Sequence, residues 1–230
     1  MDPTLLIAFW AVAFVATHLV IASAAVRPRM VAALGEPAYR GVYSLVGFAT
    51  LIPLIIEFAR HKHSGPILWY LRDVAPIRWL VWLLMLAALI LFVASLVNPN
   101  PAALGAPGTP RAPRGVLKLT RHPNFVAFIL FGLAHMLMNG WAGDVIFFGM
   151  FPVIGILGGL HQDRRKLREI GERYREFMAQ TSFMPGAAIL DGRQRWERSD
   201  TPWIALAAGA ALTVVLVVLH PLIFGGHPIG

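Results

Sequence analysis

Apolar residues fill long continuous runs of this 230-residue chain, and charged residues are concentrated in the segments between the runs. Each run is close to the roughly 20 residues that an α-helix needs to cross a bilayer, and none alternates with the period of a β-strand. Lipid offers the backbone no hydrogen-bond partners, so spanning segments must be helices or closed barrels. The pattern predicts an all-α polytopic membrane protein, one domain over residues 1–230, with about six transmembrane helices at 3–26, 41–59, 78–98, 123–141, 143–160 and 202–224.

The first run is expected to be a retained span. It is too long, and has too little positive charge before it, to be a cleaved signal peptide, and no transit-peptide-like leader precedes it.

Two segments between the runs differ from short loops. Residues 98–115 are rich in Pro, Gly and Ala and predict an irregular connector. Residues 162–180 predict an amphipathic helix on the membrane surface, whose apolar face consists of Leu167, Ile170, Tyr174, Phe177 and Met178. An extension of the fifth span explains the first turn of this segment equally well.

The composition agrees with a membrane protein. Soluble domains carry about a quarter charged residues, whereas this chain has 14% charged and 57% hydrophobic residues. Its cysteine count is zero, which excludes disulfides, iron–sulfur clusters, cysteine-ligated zinc and covalent c-type haem. Any metal or haem must therefore be held by His, Met, Tyr, carboxylates or the backbone.

The net charge of +8 is best explained by topology and not by a nucleic-acid partner. Of the 20 Lys and Arg residues, 16 fall in the loops 27–40, 99–122 and 161–201, which the predicted spans place on one side, and the remaining four are Arg60, Lys62, Arg72 and Arg78. The positive-inside rule assigns the crowded side to the cytoplasm and both termini to the periplasmic side of a bacterial inner membrane. The same basic loops suit anionic lipid headgroups.

Four of the eight histidines lie in loops or near the C-terminus, and we expect them to be exposed and without a functional role: His61, His63, His220 and His227. The other four are His18 and His135, inside predicted spans, and His122 and His161, at the basic ends of spans four and five. Thirteen residues separate His122 from His135, about 20 Å along a helix, so these two cannot share one metal ion.

His18 and His135 are predicted to lie near the midplane of the membrane on different helices. The span boundaries put His18 roughly 12 Å and His135 roughly 18 Å from the basic side. Two neutral imidazoles inside an apolar bundle suit the axial positions of a haem, and the flanking residues suit a flat slot: Phe14 and Ala22 beside His18, Phe131 and Gly132 beside His135. A mononuclear metal site, a proton relay and plain hydrogen bonds between helices remain alternatives.

Three stretches together resemble the NnrU family of membrane proteins, which includes bacterial proteins of denitrification gene clusters and a plastid carotene isomerase. They are "HLVIASAAVRPRMVAALGEPAYRGVYSL", "LTRHPNFVAFILFGLAHMLMNG" and "GGLHQDRR". The resemblance implies a b-type haem protein whose two ligands match His18 and His135. It implies that an apolar polyene such as zeta-carotene enters from the lipid and undergoes cis–trans isomerisation, with a non-enzymatic haem sensor or electron-transfer protein as the alternative.

A second resemblance is to the isoprenylcysteine carboxyl methyltransferases, which bind S-adenosylmethionine. It rests on "TRHPNF" and "REIGERYREFMAQTSFMP". Asp163 stands alone where that family has paired glutamates, and Met184 stands where it has Arg. In that interpretation Arg121, His122 and His161 line a methyl-donor pocket. In the haem interpretation they bind an anion, for instance the haem propionates. A capped helix start, with Pro123 near the first position, is a third explanation for these residues.

Overall fold

The structure, a computed structural model, describes residues 2–97 and 112–226, and these ranges fold into helices joined by turns and loops. The helices are α1 (Pro3–Ile21), α2 (Arg27–Leu34), α3 (Glu36–Arg60), α4 (Ala75–Val97), α5 (Val116–Leu119), α6 (Pro123–Met138), α7 (Ala142–Ile170), α8 (Glu172–Gln180), α9 (Ala187–Leu190) and α10 (Trp203–Phe224). Five of them, α1, α3, α4, α7 and α10, are long and apolar enough to cross a membrane, and α6 is an apolar helix of 16 residues. The predicted all-α membrane fold is confirmed, with all six apolar runs helical. Most of the predicted connector, residues 98–115, lies outside the described residues.

The first span is shorter than the sequence predicts. The Asp2 carboxylate caps α1 by accepting the backbone N–H groups of Thr4 and Leu5, at 2.8 and 3.2 Å. The helix ends at Ile21 and not at residue 26, because the chain turns at residues 22–26 and starts a separate helix, α2. The prediction extended the span because the turn residues are themselves apolar, so hydropathy alone does not mark the end.

The predicted amphipathic helix at 162–180 is divided between two helices. The span helix α7 continues to Ile170, as the alternative interpretation had it, and Gly171, with φ of +71°, separates it from α8. Glycine adopts this left-handed conformation without the penalty of a side chain. The predicted apolar face is nevertheless real, because its five residues form one cluster across the bend, with Tyr174 and Phe177 buried against the protein itself.

The six apolar helices pack in the order α3, α1, α7, α6, α4, α10. Helices α1 and α7 are parallel, since Ile7 near the start of one lies against Gly143 near the start of the other. Helices α6 and α7 are antiparallel: Gly132 lies against Phe148, and Gly155 against Ile129. One apolar cluster joins α1, α3 and α7, and a second joins α4, α6 and α10.

The loop between α3 and α4 covers the turn between α6 and α7. Trp69 donates its indole N–H to the Met136 carbonyl at 2.9 Å, and the Leu68 amide donates to the Gly140 carbonyl at 2.7 Å, so free carbonyls at the end of α6 are satisfied. Lys62 of the same loop reaches the last residue of α10, Phe224, at 2.6 Å. The start of α1, the loop and the end of α10 therefore share one side of the bundle, opposite the side that carries α2 and α8, which we call the basic side.

Candidate functional site

His135 lies three residues before the end of α6. Its ring stacks on Phe148 of α7, with centroids 4.5 Å apart, and contacts Phe131 at 4.2 Å. Its Nδ1 lies 2.9 Å from the Phe131 carbonyl oxygen. A carbonyl can only accept, so Nδ1 carries the proton and Nε2 keeps its lone pair. His135 is therefore fixed in the tautomer that offers Nε2 to a metal or a donor.

His18 lies three residues before the end of α1, near the basic side. Its ring lies between Phe14 and Tyr43, with centroid separations of 4.9 and 4.7 Å. A β-carbon at Gly47 would be 3.8 Å from this ring, so α3 passes close to it. Its Nδ1 is buried and has no hydrogen-bond partner among the described residues.

The sequence predicted that the two histidines lie at similar depth, but His18 lies nearer the basic side than His135. Ile7 of α1 lies against Gly143 of the parallel helix α7, so His18 falls opposite Ile154, six residues beyond the Phe148 on which His135 stacks. At 1.5 Å per residue the offset between the two backbones is about 9 Å. The difference arises because α1 ends five residues before the predicted boundary, which brings His18 closer to the basic side, whereas α6 begins at Pro123 as predicted.

The chemistry of each histidine suits a ligand of a haem iron. Both rings contact members of one apolar cluster, His18 through Phe14 and His135 through Phe131 and Phe148. Nε2 of each ring has no hydrogen bond from the described residues, and neutral imidazole in apolar surroundings is a good haem ligand. The described residues contain no group of three or more His, Asp or Glu side chains that could hold a metal ion, so the mononuclear alternative lacks a ligand set there.

Gly132 does not provide the flat slot that the sequence suggested. A β-carbon at this position would lie 2.6 Å from the Phe148 carbonyl oxygen and would collide with Pro152. The missing side chain therefore permits close packing of α6 on α7. The face of α6 that was expected to admit a porphyrin is filled by α7 at this point.

Phe131 also lines a partly open apolar groove between α4, α6 and α7. The groove has a volume of about 140 Å³, and its lining consists of Ala88, Leu89, Phe92, Ala127, Phe128, Phe131 and Phe151. Drug-sized ligand pockets have volumes of about 300 to 1,000 Å³, so this groove holds a segment of a long molecule and not the whole of it. Its four phenylalanine rings suit a flat, conjugated apolar chain.

Arg121 and His122 converge on Asp163 at the basic side. Arg121 donates to Oδ2 of Asp163 from Nε at 2.9 Å and from Nη2 at 2.8 Å, while His122 Nε2 and the Tyr174 hydroxyl lie 2.8 and 2.7 Å from Oδ1. His122 is fully buried, and α6 begins at Pro123 directly after it, as the third interpretation predicted, although the His122 side chain does not cap the helix. The arrangement ties the start of α6 to the basic end of α7 and to α8.

Tyr174 acts as a neutral hydrogen-bond donor in this network. Burial raises the pKa of its hydroxyl, and the neighbouring Asp163 carboxylate raises it further. The hydroxyl therefore keeps its proton throughout the physiological range and continues to donate to Asp163. His161, the third member of the predicted pocket, does not join this network: its Nδ1 is buried without a hydrogen-bond partner among the described residues.

His63 has a structural role that the sequence did not indicate. Its side chain is half exposed, as expected, but Nδ1 lies 2.6 Å from a carboxylate oxygen of the buried Asp144, and its backbone N–H donates to the same carboxylate at 3.1 Å. The pair fastens the α3–α4 loop to the start of α7. His61 and His220 are likewise partly exposed, and His227 lies outside the described residues.

Sequence reasoning missed two other polar positions, Asp144 and Arg165. Arg165 lies four residues after His161, and its Nε is buried without a hydrogen-bond partner among the described residues. The signal was the helical spacing: an ionisable residue that continues the buried face of a spanning helix is a candidate for function.

Comparisons with known proteins agree on one family. The profile of the family described as NnrU protein matches residues 5–228. The chain is 28% identical over 201 residues to the chloroplastic 15-cis-zeta-carotene isomerase of Zea mays, covering 82% of this chain and 53% of that protein. It is 28% identical over 204 residues to the enzyme of that name from Arabidopsis thaliana, covering 84% of this chain and 53% of that protein. The chain thus spans about half the length of the curated relatives it matches, and no solved structure matches it.

Proposed function

The chain belongs to the NnrU protein family, and from this premise we propose that it is a membrane-embedded enzyme that isomerises a cis double bond of a long polyene. Two relatives are named 15-cis-zeta-carotene isomerase, which makes a C40 carotenoid the first candidate substrate. One observation carries the proposal: Phe131 lines the apolar groove and also contacts His135. A polyene in this groove would lie one aromatic ring away from a buried imidazole.

The groove suits a substrate that arrives through the lipid. It lies between membrane helices α4, α6 and α7, and all seven lining residues are apolar. Ala88 and Ala127, both buried, leave the space that a larger side chain would fill. Part of the polyene would rest on the phenylalanine rings while the remainder stays in the bilayer, because the volume accommodates only a segment.

Haem b is the proposed cofactor, held by His18 and His135. The groove is lined by apolar side chains, which favours a cofactor as the source of the chemistry. With haem held there, its iron would supply electron density to the conjugated bond, and the barrier to rotation would fall. The Phe131 carbonyl keeps His135 in the tautomer required of a ligand, and the surrounding aromatic rings exclude water.

Haem content of purified variants tests the two ligands. We expect His18→Ala and His135→Ala to lose the Soret absorption band, while His61→Ala, which changes a half-exposed loop side chain, keeps it. Full haem retention in both ligand variants would refute the assignment.

Isomerisation is tested in cells that accumulate poly-cis-zeta-carotene, with isomers separated by chromatography. Ala127→Leu fills the groove and is expected to abolish conversion without loss of haem. The matched control Ala211→Leu adds the same group to an exposed position of α10 and is expected to leave conversion unchanged. Conversion should also require reducing conditions. Unchanged carotene with a normal haem spectrum would contradict the enzymatic proposal and favour the non-enzymatic haem protein.

A further inference from the structure

Three buried nitrogen atoms without a hydrogen-bond partner occur near the basic ends of α1 and α7. Among the described residues they are His18 Nδ1, His161 Nδ1 and Arg165 Nε. Native proteins satisfy nearly all buried polar atoms, and the exceptions call for an explanation such as a bound water or ion. Three such atoms on helices that pack together point to a common partner.

His161 and Arg165 face α1 and α3. On α7 they lie on the same face as Gly143 and Phe147, because the spacings between these four residues are close to whole helical turns. Gly143 lies against Ile7 of α1, and Phe147 stacks on Phe58 of α3 with ring centroids 3.9 Å apart. This face of α7 is apolar at the end away from the basic side, and its basic end carries His161 and Arg165.

Contacts with α3 connect the basic end of α7 to His18. The Arg165 guanidinium interacts electrostatically with Tyr39 and Tyr43 of α3. Tyr43 also contacts the His18 ring, with centroids 4.7 Å apart. Arg165 and His18 therefore approach the same turn of α3, and His161 lies one helical turn before Arg165 on α7.

Positive charge is in excess around this junction. Two carboxylates, those of Glu36 and Glu169, form ion pairs with four cationic side chains: Arg27, Arg40, Arg165 and Lys166. Arg27 takes the short contacts at 3.0 Å, whereas Arg165 and Lys166 lie 3.7 and 3.9 Å from Glu169 although both side chains are largely buried. Buried charge without a close partner is costly, so a further anion would stabilise the junction.

We propose that the junction of α1, α3 and α7 at the basic side binds a phosphate group, with N–H donors from Arg165, His161 and His18. The phosphate belongs either to the headgroup of an anionic phospholipid or to free phosphate in solution. The depth of the junction near the membrane surface suits the first source, since basic residues there attract anionic lipids. This site is separate from the proposed isomerase groove, but it shares His18 with the proposed haem site, so its test uses Arg165 and His161, which the haem proposal does not involve.

Thermal unfolding of the full chain in lipid nanodiscs tests the site. The nanodiscs contain phosphatidylcholine alone, phosphatidylcholine with phosphatidylglycerol, or phosphatidylcholine with inorganic phosphate in the buffer. A ligand that binds only the folded state raises the melting temperature, and we expect a rise of about 5 °C in the wild-type chain. A rise with phosphatidylglycerol alone identifies a headgroup, and a rise with inorganic phosphate identifies the free ion; either supports the site.

Three variants separate this site from general electrostatic attraction. Arg165→Gln and His161→Phe should lose most of the rise, whereas Arg175→Gln, which removes an exposed cation of α8, should keep it. Without phosphate or anionic lipid, Arg165→Gln should melt no lower than the wild type, because it removes a buried cation with no close partner. A merely structural arginine would give the opposite result. The proposal is overturned if the wild type shows no rise in either arm, or if both junction variants rise as much as the wild type.

Discussion

Replacing Asp163 by asparagine should destabilise the protein severely. The Asp163 carboxylate accepts two hydrogen bonds from Arg121 and one each from His122 and Tyr174, all at 2.7 to 2.9 Å, and its side chain is 5% exposed. Asparagine has nearly the same shape but no charge, and its amide group presents hydrogens to groups that are themselves donors. The substitution therefore leaves the Arg121 guanidinium in place without its carboxylate partner.

The expected cost follows from the loss of a buried ionic partner. Breaking a buried ion pair from one side costs about 3 to 5 kcal/mol, and hydrogen bonds to a charged group are worth about 1.5 to 3 kcal/mol each, although they are not additive. For a chain of this size, 1 kcal/mol corresponds to a shift of about 2 to 4 °C in melting temperature. Asp163→Asn should therefore melt roughly 10 °C below the wild type.

The assay is thermal unfolding of purified protein, followed by tryptophan fluorescence. Asp191→Asn is the matched control, because Asp191 is 58% exposed and forms one surface pair with Arg193 at 2.8 Å. Exposed pairs contribute less than about 1 kcal/mol, so this variant should melt within about 3 °C of the wild type. If Asp163→Asn melted as high as Asp191→Asn, the buried network would not stabilise the protein as we have reasoned.

Gly132→Ala should lower the melting temperature by several degrees, because the new methyl group clashes with α7 at a cost of about 1 to 3 kcal/mol. Gly149→Ala is the control and should melt near the wild type, because its β-carbon would meet only ordinary contacts. Burial raises the pKa of Asp200, but the hydrogen bond from Lys118 and two backbone N–H groups outweigh it, so the pKa lies below its ordinary value. The stabilisation is present above the ordinary pKa of about 4 and is lost as the pH falls through the lower folded value. Melting curves of Asp200→Asn and wild type should thus differ at pH 7 and converge in acid; a constant difference would contradict this. A compartment-specific reporter fused to the C-terminus should be active only outside the cytoplasm, and cytoplasmic activity would mean that the predicted orientation is wrong.

The sequence by itself determined the class of fold and the positions of its helices. Bilayer thickness requires runs of about 20 apolar residues, and each of the six runs formed a helix where it was predicted. The sequence also predicted one apolar face correctly, because residues three and four apart share one side of a helix. Its members are Leu167, Ile170, Tyr174, Phe177 and Met178. Helix ends were less accurate. The apolar turn after Ile21 and the break at Gly171 depend on local backbone geometry that hydropathy does not reveal.

Only the tertiary structure decided which polar groups meet. The sequence singled out Arg121, His122 and His161 as one pocket, but Asp163 gathers the first two, and His161 faces α1 and α3 with Arg165. Depth was decided in the same way: His18 lies nearer the basic side than His135, because α1 ends at Ile21 and not at residue 26. Helical periodicity records which residues share a face, but contacts between helices distant in sequence depend on how glycine and aromatic side chains interlock at each interface.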